Sequence, residues 1–288
     1  MNKRLLDLSE EVDQEVSDLL EVIKDATHTL GFPFFVVGAF ARDLIFRHGY
    51  GVSTGRATED VDLAVEVSNW KDYEELRSDL LSTKDFLDDA QRQRLLFRNS
   101  LHVDIVPFGG VAGPNGEITW PPDNTIQMKV HGFEDALRCT QLVRFRSDPV
   151  LEIRVANLLG LAILKLFAWS DRITGRGKDA FDLLFILRNY LEAGNDQKLW
   201  NEHQDLVGED DFDYEKAGAR LLGRDIAGTA SRQTAKGLRQ ILTEQTNPDS
   251  DFALILDMQK GQPACTFDEI LDLLKALNLG LDEAPPAP

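Results

Sequence analysis

Hydrophobic residues recur along this chain in two rhythms, and the change of rhythm divides it. Leu8, Val12, Val16, Leu19, Leu20, Ile23 and Leu30 stand three and four apart, which predicts an amphipathic helix over residues 8–30. Ser9 reads as its N-cap and Gly31 as its stop. Phe34-Phe35-Val36-Val37 reads as a short buried strand, ending at Gly38-Ala39 and followed by a helix to about Phe46. A glycine-rich loop with Gly49, Gly51 and Gly55 follows. Val61, Leu63, Val65 and Val67 then alternate with Asp60, Asp62, Ala64 and Glu66, the period-two signature of a strand. A helix over 69–81 is expected next. Two strands, 94–98 and 101–106, are separated by Asn99-Ser100 as a tight turn. Pro107 and Gly109-Gly110 close that unit, and residues 117–155 read as short strands around one helical turn.

From Ala156 the rhythm becomes helical: 156–170, 178–191, and several more helices to about Leu277. The expected architecture is therefore α+β, a small mixed β-sheet with flanking helices followed by an α-helical domain. The boundary falls near residue 150, giving domains 1–150 and 151–288. The tail Asp282–Pro288, rich in Pro and Ala, is expected to fray.

Charge narrows the chemistry. With 31 Lys+Arg against 49 Asp+Glu the 288 residues carry a formal −18, which excludes a generic basic coat for nucleic acid. The excess is uneven. Residues 137–178 hold a net +5, and Arg92, Arg94 and Arg98 form a second basic group. Either set would line a nucleotide-facing wall or remain solvated surface. Two cysteines, Cys139 and Cys265, stand in no metal or disulfide pattern, which fits a reducing compartment. The first residues lack the apolar run of a signal peptide. The apolar stretch Val155–Trp169 is short and contains Lys165, so a cytoplasmic protein without a membrane span is expected.

The sharpest chemical feature is three carboxylates on two expected strands. Asp60 and Asp62 are two apart and share a face; Asp104, in His102-Val103-Asp104-Ile105-Val106, joins them if the strands are neighbours. Such a cluster repels itself. Divalent cations relieve that, and oxygen-only ligands suit Mg²⁺ or Mn²⁺ rather than zinc. Two such ions flank an in-line phosphoryl displacement. A solvated acidic face is the plain alternative. The upstream strand-glycine-helix unit favours the metal, because free backbone N–H groups at a helix start bind phosphate.

In combination, Gly38-Ala39, Asp60-x-Asp62 and Asp104 resemble the nucleotidyltransferase superfamily that includes DNA polymerase β. Within it the sequence is most similar to AbiEii/AbiGii toxin-like nucleotidyltransferases. The match rests on Thr58-Glu59-Asp60-Val61-Asp62-Leu63 and on Lys165 to Arg172 followed by Lys178-Asp179-Ala180-Phe181-Asp182-Leu183. It covers roughly residues 34–191. The turn departs from the family's Gly-Ser or Gly-Gly: Ala39 has no hydroxyl, leaving backbone N–H groups to meet phosphate. Gly38-Ala39-Phe40-Ala41-Arg42-Asp43 is also similar to the Gly-Gly-x-x-Arg-Asp of CCA-adding and poly(A) polymerases, whose Arg-Arg-Asp-Phe-Thr element is missing here.

The resemblance implies an NTP-dependent nucleotidyltransferase that releases pyrophosphate and uses two Mg²⁺ or Mn²⁺ ions. Asp60 and Asp62 would bridge both ions, while Asp104 would hold one and take the acceptor's proton. Lys165 would meet the triphosphate as a point charge, or else snorkel from an apolar helix. Gly38, Ala39, Arg42, Arg172, Lys178 and Asp182 complete the expected nucleotide site. Arg42 has a pairing with Asp60 or a plain local ion pair as its alternatives, and Arg56 a solvated loop position. Asp179 and Asp182 read as one functional acid and one structural acid, with Asp182 an alternative partner for Arg172 or Arg188. The resemblance also implies a bacterial toxin component, a tRNA acceptor and a cognate antitoxin. Transfer to a small molecule such as an aminoglycoside, or NTP binding without turnover, are the competing readings.

Overall fold

The computed structural model describes residues 5–54, 58, 60–122, 124, 126–172, 174–208 and 212–283. Gly55, Arg56 and Glu59, and the tail beyond Glu283, lie outside the described residues. The chain divides into two compact units, residues 1–157 and 158–288.

In order, the first unit contains β1 (Leu6–Asp7), α1 (Gln14–Leu30), β2 (Phe34–Val37), α2 (Gly38–Asp43), β3 (Val61–Val67), α3 (Trp70–Ser82), β4 (Phe86–Asp88), β5 (Arg94–Phe97) and β6 (Leu101–Gly109). Then come β7 (Glu117–Thr119), β8 (Gln127–Lys129), α4 (Phe133–Arg138), β9 (Thr140–Ser147) and β10 (Val150–Ala156). Eight strands form one sheet in the order β1-β9-β10-β2-β3-β6-β5-β4. The sheet is mixed: β10–β2 and β3–β6 are parallel, whereas β2–β3, β5–β6 and β9–β10 are antiparallel. Its centre is apolar because the alternating residues Val61, Leu63, Val65 and Val67 are all buried, as are Phe35, Val36, Val103 and Ile105.

Several elements depart from the expected ones. The first helix begins at Gln14, not Leu8, because Leu6–Asp7 pairs parallel with β9. Leu8 is still buried, so its apolar character served the sheet layer. The stop at Gly31 is as expected, with φ +77° in the left-handed region. α2 does not run evenly to Phe46; it passes into a wider π-helical turn over Leu44–Gly49. β6 continues through Pro107 to Gly109. The segment 117–155 contains two long strands, β9 and β10, which pair closely and carry the sheet out to β1.

The second unit is helical: α5 (Leu158–Asp171), α6 (Gly177–Asn189), α7 (Asp196–Glu202), α8 (Tyr214–Ala227), α9 (Arg232–Thr246), α10 (Ala253–Gly261) and α11 (Phe267–Glu283). α5 is apolar nearly all round, with Leu161, Ala162, Ile163, Leu166 and Trp169 buried, the pattern of a helix wrapped by others. Among the described residues no helix is long and apolar enough to cross a membrane.

Candidate active site

The register of the central strands assembles the first cluster. β2 pairs antiparallel with β3 so that Val37 lies opposite Asp62. β3 pairs parallel with β6 so that Asp62 lies opposite Asp104. β5 pairs antiparallel with β6 so that Arg94 lies opposite Asp104. Asp62, Asp104 and Arg94 thus stand side by side across three strands. Asp60 sits just before β3, not within it, and its side chain is 44% exposed.

Gly38 closes the cluster from the other side. Its φ is +71°, a conformation that L side chains rarely adopt. A Cβ there would lie 2.0 Å from Asp62 Oδ2. The glycine is therefore needed twice, for the turn and for the approach of the Asp62 carboxylate.

Arg94 meets Asp104 through both arms. Its Nε donates to Oδ1 at 2.7 Å and its Nη2 to Oδ2 at 2.8 Å, the fork geometry that makes arginine–carboxylate pairs strong. The same Nη2 lies 3.6 Å from Asp60 Oδ2. His102 Nδ1 lies 3.7 Å from Asp60 Oδ1. Hydrogen bonds to Asp104 outweigh partial burial and hold the Arg94 guanidinium above the usual arginine range. Sequence reasoning placed Arg94 only in a basic group near this hairpin. Its pairing with Asp104 follows from a three-residue loop, with Phe97 opposite Leu101. Arg98 and Asn99 both take positive φ, at 47° and 62°.

Asp60, Asp62 and Asp104 fit a divalent metal by donor type, being hard carboxylate oxygens, and by register, being on or beside adjacent strands. Among the described residues, no three His, Cys, Asp or Glu side chains stand close enough to hold an ion. Both oxygens of Asp104 face the Arg94 guanidinium instead.

Arg42 is only 1% exposed and its Nε donates to Asp43 at 3.0 Å. It thus makes the local ion pair, one of its expected roles, with Nη2 2.6 Å from Asp43 Oδ1. Gly38 and Ala39 open α2, whose flanking residue Val37 makes no side-chain cap.

The second cluster lies wholly in the helical unit. Lys165 Nζ, on α5, is 3.0 Å from Asp179 Oδ1 and 2.7 Å from Asp182 Oδ2, both on α6. Arg172 Nη1 adds a contact of 2.9 Å to Asp179 Oδ2. The spacing of three places Asp179 and Asp182 on one face of α6. The two carboxylates are 4% and 1% exposed, and Lys165 12%, so the lysine is buried and does not snorkel. Burial opposes the charge of Lys165, but Asp182 and Asp179 outweigh it and hold the ammonium above the ordinary lysine value. Arg188 does not meet Asp182; it forks onto Glu215 at 2.8 and 2.9 Å. Arg172 is half-exposed and Lys178 exposed.

The +5 stretch is not a bare positive face. Arg138 pairs with Asp135, Arg144 with Glu152, Arg146 with Glu21, and Arg176 with Asp257. Arg56 lies outside the described residues.

A family model described as "Nucleotidyl transferase AbiEii toxin, Type IV TA system" matches residues 25–273. No curated protein sequence matches the chain. Among solved structures the chain is similar to the antibiotic-resistance factor ANT(2'')-Ia, with 12% identity and a TM-score of 0.36 over 68% of this chain and 96% of that one. It is similar to an antigenic nucleotidyltransferase-like protein from Paracoccidioides brasiliensis, with 15% identity and a TM-score of 0.40 over 68% and 91%. It is similar to a CCA-adding enzyme in an apo form, with 13% identity and a TM-score of 0.29 over 96% and 83%. Likeness at this level says nothing about substrate.

Proposed function

The chain belongs to the nucleotidyl transferase AbiEii toxin family, which makes it a nucleotidyltransferase, and from that premise we propose that it transfers a nucleotidyl group from an NTP to a hydroxyl of tRNA. The observation that carries the assignment of the site is the Asp62–Asp104 pairing across β3 and β6, with Gly38 closed onto Asp62.

Asp60, Asp62 and Asp104 are the residues that would hold Mg²⁺ or Mn²⁺. Bound there, divalent ions neutralise the carboxylates and stabilise the charge that builds on the entering and leaving oxygens. The acceptor oxygen bonds to the α-phosphorus as the bridge between α- and β-phosphate breaks, and pyrophosphate leaves. Asp104, on the inner strand, takes the proton from the acceptor hydroxyl. The backbone at Gly38 and Ala39 meets phosphate without a side-chain hydroxyl, which Ala39 lacks. Support for a tRNA acceptor and for a cognate antitoxin comes from the family alone, since among the described residues the bases of 137–178 are largely paired with acids.

The test is incubation with each α-labelled NTP, Mg²⁺ and total tRNA. Label on RNA is expected with at least one NTP and is lost in Asp62→Asn. Transfer that survives Asp62→Asn would displace the site; label on another acceptor would displace tRNA. For the toxin role, growth arrest is expected on expression in a host without antitoxin.

A further inference from the structure

We propose that Arg94 is a resident cation of the carboxylate site, occupying the side of Asp104 that metal needs, so that Arg94 and divalent metal compete for Asp104. The inference rests on the reading of Asp60, Asp62 and Asp104 as metal ligands.

Three observations carry it. First, the contact is two-pronged: both oxygens of Asp104 accept from one guanidinium, at 2.7 and 2.8 Å. A carboxylate so engaged has both oxygens turned toward a positive charge, and a second cation brought onto them meets repulsion across a few ångströms. Second, the guanidinium reaches beyond its main partner, with Nη2 3.6 Å from Asp60 Oδ2. One arginine thus faces both Asp104 and Asp60, two of the three carboxylates that would hold the metal. Third, the placement is built in. The Arg94–Asp104 register is fixed by the hairpin β5–β6, and Arg94 is only 20% exposed, so the fork is backed by the sheet. An arginine that merely decorated the surface would not be aligned in register with an acid only 16% exposed.

The arrangement also indicates what releases the arginine. Guanidinium binds phosphate oxygens in the same two-pronged way as carboxylate. The triphosphate of an NTP is therefore a substitute partner for Arg94. Metal and NTP then enter as an exchange: phosphate takes the arginine as metal takes Asp104. The site is weak for metal alone and strong for metal with NTP, and the difference is set by Arg94.

The experiment is Mn²⁺ binding, read from the electron paramagnetic resonance of the free ion, without nucleotide. It is made on the wild-type chain, Arg94→Ala and Arg94→Lys, each with and without Asp62→Asn. The expected result is Mn²⁺ affinity at least tenfold tighter in Arg94→Ala than in wild type, with Arg94→Lys between them. A non-hydrolysable NTP is expected to tighten Mn²⁺ binding in wild type and to do so much less in Arg94→Ala. Equal or weaker Asp62-dependent binding in folded Arg94→Ala overturns this inference and leaves the metal reading standing. No Asp62-dependent binding in any of these proteins overturns both. If Arg94→Ala does not fold, the Arg94 Nε–H resonance of the wild-type chain is titrated with Mg²⁺. A shift away from its hydrogen-bonded position is expected, and an unmoved resonance at saturation overturns the inference.

Discussion

The chain carries two clusters of opposite charges that look alike on paper and differ in kind. In the sheet unit, Arg94 faces Asp104 and Asp60 at a partly exposed edge, with Asp60 44% exposed. In the helical unit, Lys165 is enclosed by Asp179 and Asp182, none of the three more than 12% exposed. The first cluster is open to water on its Asp60 side, although Arg94 and Asp104 themselves are only 20% and 16% exposed. In the second, separating buried partners strands a charge where nothing solvates it. An ion pair at a site that must exchange ligands belongs in the first setting, and one that pins two helices together belongs in the second. Lys165 is thereby a helix-pinning residue in this structure, whatever it does with nucleotide.

That contrast is open to breakage by four measurements. The largest expected effect is on activity. Asp104→Asn removes the proposed base and should lower transfer by about 10²–10⁴-fold. Its unfolding free energy should fall by about 1–3 kcal/mol, because part of a two-pronged hydrogen bond is lost where the partners are only 20% and 16% exposed. Next, Asp182→Ala should destabilise the helical unit by about 3–5 kcal/mol, measured by denaturant unfolding. The double variant Lys165→Met with Asp182→Leu should regain most of that loss, since Asp179 keeps Arg172. If the double variant folds well but has lost NTP binding, Lys165 has a second task.

A third measurement uses pH. Lys165 has a folded value raised above its ordinary 10.5, so its contribution is complete below that value. It should disappear as pH climbs through the higher folded value. Asp257 behaves oppositely. Burial pushes its pKa up, but hydrogen bonds from Trp169 and Lys260 and the nearby Arg176 outweigh it and hold it below 3.8. Its contribution is present above 3.8 and fades as pH falls through the lower folded value. Trp169 Nε1 donates to Asp257 at 3.1 Å, so the Trp169 indole N–H resonance should move in that acid range and in no other. The smallest effect expected is Arg172→Ala. Arg172 is 51% exposed and should cost less than about 1 kcal/mol in stability. A large loss of NTP affinity in that variant would place nucleotide beside it.

Much of the sheet unit was legible because alternation survives in strands with one apolar face. Val61 to Val67 and Phe34 to Val37 stand where their pattern put them. In β9 and β10 the residues Arg144, Arg146, Glu152 and Arg154 interrupt the apolar count, so the pattern alone predicts only short pieces. Arg144 meets Glu152 across the pair, Arg146 meets Glu21 and Arg154 donates to Thr140, which leaves the inward residues Val143, Phe145, Leu151 and Ile153 buried. The carboxylates were legible by spacing, but Arg94 was not joined to them. The cause is one residue of register. A two-residue turn at Asn99-Ser100 would set Leu95 opposite Asp104, whereas the observed three-residue loop sets Arg94 there. The Lys165 cluster escaped for a different reason. Periodicity tells that Lys165 lies on an apolar helix, but only the packing of α5 on α6 tells that two acids wait beneath it.

Gly38 has a consequence for the history of such a gene. Alanine is one nucleotide away from glycine in every codon, and here the added methyl would stand 2.0 Å from Asp62 Oδ2, on a residue whose φ of +71° L side chains rarely adopt. A single point change at this turn therefore forces the Asp62 carboxylate off its place beside Asp104, and the carboxylate set is broken without a stop codon or a frameshift.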